Sequence, residues 1–180
     1  MERLKPIILP YLGIYPKIAP DAFIAPGACI IGDVEIGSGS GIWFNCVIRG
    51  DVAPIKIGHN TNIQDGTVIH VTRKTGPTNI GSGVTVGHKC LLHACTIQDS
   101  AFIGMGATVI DRTIVETNAM VAAGSMVTQG KVIKTGEIWA GNPAKFLRLL
   151  RQDEIDYFKV SEKNYSKHAE EYIEILKNYT

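Results

Sequence analysis

The sequence predicts an all-β fold, a parallel β-helix of hexapeptide repeats with a C-terminal α-helix. Three observations carry this reading. An Ile, Val or Leu recurs every six residues: Ile18, Ile24, Ile30, Ile36, Ile42 and Ile48, then Ile57, Ile63 and Ile69, then Ile80, Val86 and Leu92. After one short step to Ile97 the ladder runs through Ile103, Val109, Val115, Val121, Val127 and Ile133 to Trp139. A period of six fits neither a 3.6-residue helix nor a simple alternating strand, whereas it is the mark of a solenoid built from short strands and turns. The residue four places after each ladder position is small, as at Ala22, Ala28, Ser40, Cys46, Thr61, Thr67, Cys90, Ala107, Thr113, Ala119 and Ser125. A narrow interior would be overpacked by anything larger. The residue directly after the ladder is commonly Gly or Ala, including Ala19, Ala25, Gly37, Gly58, Gly81, Gly87, Gly104 and Ala122, which suits tight corners. Twenty ladder positions, at three rungs per coil, make roughly seven coils.

Residues 1–143 therefore form the β-helix domain, and residues 144–180 a C-terminal helical segment. No secretory pattern opens the chain and no apolar run is long enough to span a bilayer. A net charge of +1 in 180 residues gives no electrostatic case for nucleic acid or a membrane surface. The four cysteines, Cys29, Cys46, Cys90 and Cys95, lack CxxC spacing and read as buried fillers in a reducing cytoplasm. Asn142-Pro143 marks a turn, after which Phe146, Leu147, Leu149 and Leu150 suggest a short first helix. From an N-cap at Ser161, the set Tyr165, Ala169, Tyr172, Leu176 and Tyr179 forms one face of an amphipathic helix. That face is expected to dock on the β-helix or on a neighbouring subunit.

Three histidines interrupt the small-residue pattern. His70 and His93 directly follow Ile69 and Leu92, and three rungs, one full coil, separate them. Their imidazoles should stack on one face at about the 4.8 Å strand spacing, which two ligands of one metal can bridge. His88 lies two places after Val86, on the preceding rung and hence on an adjoining face, where it can point toward another chain. Three neutral imidazoles with an open fourth position are the ligand set of a catalytic zinc. Such an ion brings the pKa of its water to about 7. Iron(II) or cobalt suits the same ligands. His59 and His168 lack such company and read as ordinary exposed residues.

The same register places Arg49, directly after Ile48, one coil below His70, with Asp51 within its reach. A buried arginine and carboxylate would need each other as partners. Gln64 follows Ile63 and so shares the face of His88, flanked by Asn62 and Asp65.

With these residues in place the chain resembles the gamma-class carbonic anhydrase family. The matching stretches are Arg49-Gly50-Asp51, Asn62-Ile63-Gln64-Asp65-Gly66, His70, and Gly87-His88-Lys89-Cys90-Leu91-Leu92-His93. The resemblance implies a left-handed β-helix, a homotrimer, and zinc held between subunits by His70 and His93 of one chain and His88 of the next. It gives Arg49 and Asp51 an interface role and contact with bicarbonate. Gln64 then orients the hydroxide at the metal, Asn62 holds Gln64 or polarises carbon dioxide, and Tyr165 approaches the metal from the C-terminal helix. The implied activity is that of a zinc lyase, the reversible hydration of carbon dioxide. One departure weakens it. The best-characterised members carry a glutamate after Arg-Gly-Asp and an acidic, proton-moving loop after the first histidine. Here Val52 and the basic run Val71-Thr72-Arg73-Lys74-Thr75-Gly76 stand instead, so turnover should be slow or buffer-dependent.

Two other classes compete. Relatives with this site are described as acyl-thioester hydrolases or accessory proteins of acyl-CoA metabolism, and hexapeptide acyltransferases share Gly141-Asn142-Pro143-Ala144-Lys145. A transferase needs only one general-base histidine, which leaves three converging ones unexplained. A metal that merely staples a trimer is the non-catalytic alternative; its loss would dissociate subunits without ending any turnover.

Overall fold

Burying one large apolar residue every six closes the chain into a three-sided coil. A computed structural model describes residues 5–177 and shows that ladder almost wholly inside: Ile42, Ile48, Ile63, Ile69, Leu92, Ile103 and Val109 expose nothing. Successive coils pair in parallel and in register, Ile48 beside Ile69, Ile69 beside Leu92, and Leu92 beside Val109. One side is an eight-stranded sheet, seven strands parallel and the last, Ala144–Leu149, antiparallel. The other two sides join into a twelve-stranded sheet because the strand Val47–Ile57 turns a corner. It pairs with Val68–His70 at one end and with Thr78–Ile80 at the other.

The small inward positions carry Ser, Thr and Cys for a reason beyond volume. Ser40 Oγ donates to the carbonyl of Gly58 at 2.7 Å, Thr61 Oγ1 to that of Gly81 at 2.7 Å, and Thr67 Oγ1 to that of Gly87 at 3.1 Å. Each hydroxyl thus satisfies a corner carbonyl of the next coil that would otherwise be buried unpaired. All four cysteines are free thiols. Burial pushes Cys46 and Cys95 up to about 12 and Cys90 up to about 11, so these three are inert fillers.

The segment after the turn at Asn142-Pro143 differs from expectation. Phe146–Leu149 is strand, not helix: Ala144–Leu149 folds back antiparallel on Glu137–Gly141 and carries the sheet past residue 143. Pairing wins because the last solenoid strand would otherwise present an open edge of unpaired backbone. Ser161 is not an N-cap either. The helix is a single element, Gln152–Lys177, and Ser161 sits inside it, buried, with its hydroxyl 3.1 Å from that of Thr85. The helix starts instead at Arg151, whose backbone N–H donates to the Glu154 carboxylate at 2.9 Å, one half of a capping box. Its docking face is longer than the sequence suggested. Phe158 stacks on Phe102 with centroids 5.1 Å apart, and Ala169 packs beside Phe23 and Trp43 on the chain's own β-helix. Tyr179 lies outside the described residues. Among those residues no helix is long and apolar enough to cross a membrane.

The helix start makes an acid-range prediction. The Arg148 guanidinium, then the Arg151 N–H, holds the Glu154 carboxyl down to about 2 from 4.5. A depressed carboxyl stabilises the fold above its unfolded pKa and loses that contribution as pH falls toward the folded value. Amide exchange at Gln152 to Asp156 should therefore be slower in the wild type than in Glu154→Gln at pH 5. The two should converge near pH 2; equal exchange at pH 5 would remove the clamp from the account.

Candidate metal centre

His70 and His93 end the parallel strands Val68–His70 and Leu91–His93 and are direct register partners. Ile69 and Leu92 point inward, so strand alternation turns both imidazoles out on one side, with ring centroids 5.3 Å apart. The register of Ile48 with Ile69 sets Arg49 one coil away. His70 Nε2 lies 3.0 Å from Asp51 Oδ1, and Asp51 Oδ2 accepts from Arg49. Burial works to raise the Asp51 carboxyl, but the hydrogen bonds from His70 and Arg49 and their charges outweigh it and hold it low. Arg49 itself is not buried as the sequence suggested; its side chain is 43% exposed in the single chain. Arg49 follows the inward Ile48 and so leaves the strand outward.

His93 has a carboxylate of its own. Its Nδ1 lies 2.8 Å from Asp111 Oδ2, and Thr72 Oγ1 donates to Asp111 Oδ1 at 2.7 Å. Burial again pushes Asp111 up, and the bonds from Thr72 and His93 bring it net below the usual carboxylate range.

His88 follows the strand Thr85–Val86 on another side of the coil, with its Nδ1 2.9 Å from Asp65 Oδ2. It lines a cleft of about 300 Å³ together with Gln64, Phe102, Met105, Ser161 and Tyr165. A hydrogen-bonded line joins two of its lining residues, Ser161 and Gln64. Ser161 meets Thr85, Asn62 Nδ2 donates to Thr85 Oγ1 at 3.0 Å, and Gln64 Nε2 donates to Asn62 Oδ1 at 3.0 Å. Asn62 and Gln64 are 3% and 5% exposed, so the line fixes the Gln64 amide within a buried network. Tyr165 packs edge-on against Trp43 at 5.4 Å, and its phenol is raised by burial first and by the charge of Asp65 second.

One chain thus brings together two of the three histidines, and among the described residues no three His, Cys, Asp or Glu side chains are placed to hold an ion. The donor chemistry nonetheless fits an imidazole-bound divalent metal. Each histidine ties one ring nitrogen to a carboxylate and leaves the other available: Nδ1 of His70, Nε2 of His93 and Nε2 of His88. Carboxylate-anchored imidazoles are how proteins orient metal-binding histidines. His59 accepts from the Ser38 N–H at 3.2 Å at an exposed corner, and His168 is exposed beside Tyr165. Sequence reasoning missed Asp111, Thr72, Thr85 and Ser161. Asp111 could have been found by carrying the register one coil up from His93, since Leu92 pairs with Val109.

Comparison with known proteins adds a lineage. Residues 15–50 match the family described as bacterial transferase hexapeptide (six repeats). The chain is 53% identical over 160 residues to the mitochondrial gamma carbonic anhydrase 2 of Arabidopsis thaliana, covering 86% of itself and 58% of that relative. It therefore spans under two thirds of that protein's length. It is 43% identical over 166 residues to a carbonic anhydrase of Geobacillus kaustophilus, covering 92% of itself and 91% of the relative. A hexapeptide transferase family protein from Anaplasma phagocytophilum has a solved structure with 50% identity and a TM-score of 0.89 over 92% of this chain and 98% of that one.

Proposed function

The chain belongs to the gamma carbonic anhydrase family, and from that premise we propose that it hydrates carbon dioxide reversibly as a metal-dependent homotrimer. Three sites lie between subunits, each taking His70 and His93 from one chain and His88 from the next. The observation that carries this reading is the split histidine set: a stacked, carboxylate-anchored pair on one side and a third, separately anchored, on another.

Zinc, or iron(II) or cobalt in its place, would make a bound water acidic enough to supply hydroxide near neutral pH. The chain's own residues do the remaining work. The Ser161–Thr85–Asn62 line holds the Gln64 amide beside His88, where it orients a small polar reactant. Arg49, steadied by Asp51, presents a cation to the bicarbonate product. Tyr165 narrows the cleft and offers a neutral phenol, its ionisation disfavoured by burial.

Protons must also leave, and the run from Val71 to Gly76 holds no carboxylate to carry them. Stopped-flow hydration by zinc-loaded protein should therefore rise with buffer concentration and vanish in His88→Ala. A fully metallated protein with no rate above that blank would overturn the reading. A second reading, hydrolysis of an acyl thioester at the same site, is favoured by one feature. The cleft beside His88 is roomier than carbon dioxide needs and is walled by Phe102, Met105 and Met120.

A further inference from the structure

The excursion between Ile69 and Ile80 is, in sequence, only a basic stretch. In the structure it is tied down at both ends to the histidine pair. It closes on itself through Thr72 and Gly76, whose backbones exchange hydrogen bonds of 2.9 and 3.1 Å. At its exit Thr78 Oγ1 donates to the carbonyl of His70 at 2.7 Å. At its entry Thr72 Oγ1 donates to Asp111 Oδ1, whose other oxygen meets His93 Nδ1. The Lys74 N–H reaches the carbonyl of Val52, beside Asp51, at 3.2 Å. Gly76 is packed closely: a Cβ there would stand 2.7 Å from Thr72 Cβ and 2.9 Å from Ala94 Cβ.

We propose that this excursion is a brace for the metal site and that Asp111 is its positioning residue, fixing His93 directly while Thr72 fixes Asp111. The proposal rests on the metal reading above and adds residues to it. A neutral imidazole has two tautomers, and only the one protonated at Nδ1 leaves the Nε2 lone pair for an ion. Asp111 selects that tautomer by accepting from Nδ1. Its carboxylate would be free to rotate if only one oxygen were held, and Thr72 holds the other. The excursion therefore sets the orientation of both histidines contributed by one chain, His70 through its backbone and His93 through its ring.

The test uses the full chain and has two readouts independent of turnover. Zinc affinity is measured by chelator competition, and the His93 tautomer by nitrogen NMR of the metal-free protein at pH 8. Asp111→Asn should weaken zinc binding by about 10–100-fold, the usual cost of losing such a partner. It should also convert a single Nδ1–H tautomer into a mixture. Thr72→Val should give a smaller loss, Thr72→Ser should restore wild-type affinity, and Thr72→Val should add nothing in the Asp111→Asn background, because it acts through that carboxylate. Wild-type affinity and tautomer in Asp111→Asn would overturn the proposal. If Asp111→Asn does not fold, Thr72→Val alone carries both readouts. Failure of the metal reading is distinguishable, since there the wild type would not load zinc, or His93→Ala would load it normally, while the tautomer still decides the role of Asp111.

Discussion

Chains carrying His70→Ala and chains carrying His88→Ala should each bind no metal alone and regain it when mixed. If every site takes His70 and His93 from one chain and His88 from the next, an intact site needs a His88→Ala chain beside a His70→Ala chain in one order. Random exchange in a cyclic trimer satisfies that at about one site in four. Metal content and carbon dioxide hydration should both recover to roughly that fraction of wild type. The geometry supplies a control. His70 and His93 stand with ring centroids 5.3 Å apart in the same chain, so both must come from one copy. A mixture of His70→Ala with His93→Ala should recover nothing. Recovery in that control, or none in the first mixture despite exchange shown by mass-labelled subunits, would sink the interfacial assignment.

The solenoid and its histidine pair were legible because both follow from register. A six-residue period fixes which residues face inward, and counting three rungs puts His93 beside His70, as their register confirms. What surrounds the pair was less legible, because it depends on where side chains reach and not on where backbones stack. Thr72 and Asp111 lie 39 residues and two coils apart and meet only because the excursion after His70 leaves its own coil. Ser161 looked like a helix start because Ser favours that position; burial against Thr85 across 76 residues overrides the preference. Phe146 to Leu150 carries no strand alternation, so nothing local announced a strand. The open edge of Glu137–Gly141 decides it, and an edge is a property of the assembled sheet.

Gly58→Ala should destabilise the protein more than any glycine exchange made for backbone conformation alone. A Cβ at Gly58 would stand 2.6 Å from the Gly81 carbonyl carbon and 2.7 Å from the Ser82 nitrogen, both backbone atoms that cannot rotate away. Gly81 is the equivalent corner of the next coil, so relief requires prising two coils apart. Overpacking of this kind costs about 1–3 kcal/mol, and rigid neighbours place it at the upper end. For a chain of this size that is a fall in melting temperature of roughly 6–12 °C. Gly106→Ala is the comparison. Its φ is +68° with nothing within 4 Å of the added carbon, so it meets only the left-handed strain of about 1–2 kcal/mol. Equal melting shifts would mean that the coils can part, and that close approach is not what the corner demands. The same position explains why the histidines are tolerated at all. At Gly58 the chain turns directly after the ladder residue Ile57, whereas after Ile69 and Leu92 the strand runs one residue further. That extra strand residue points outward, away from the corner where coils abut. His70 and His93 thus occupy the small-residue position of the repeat at the places where the solenoid delays its turn.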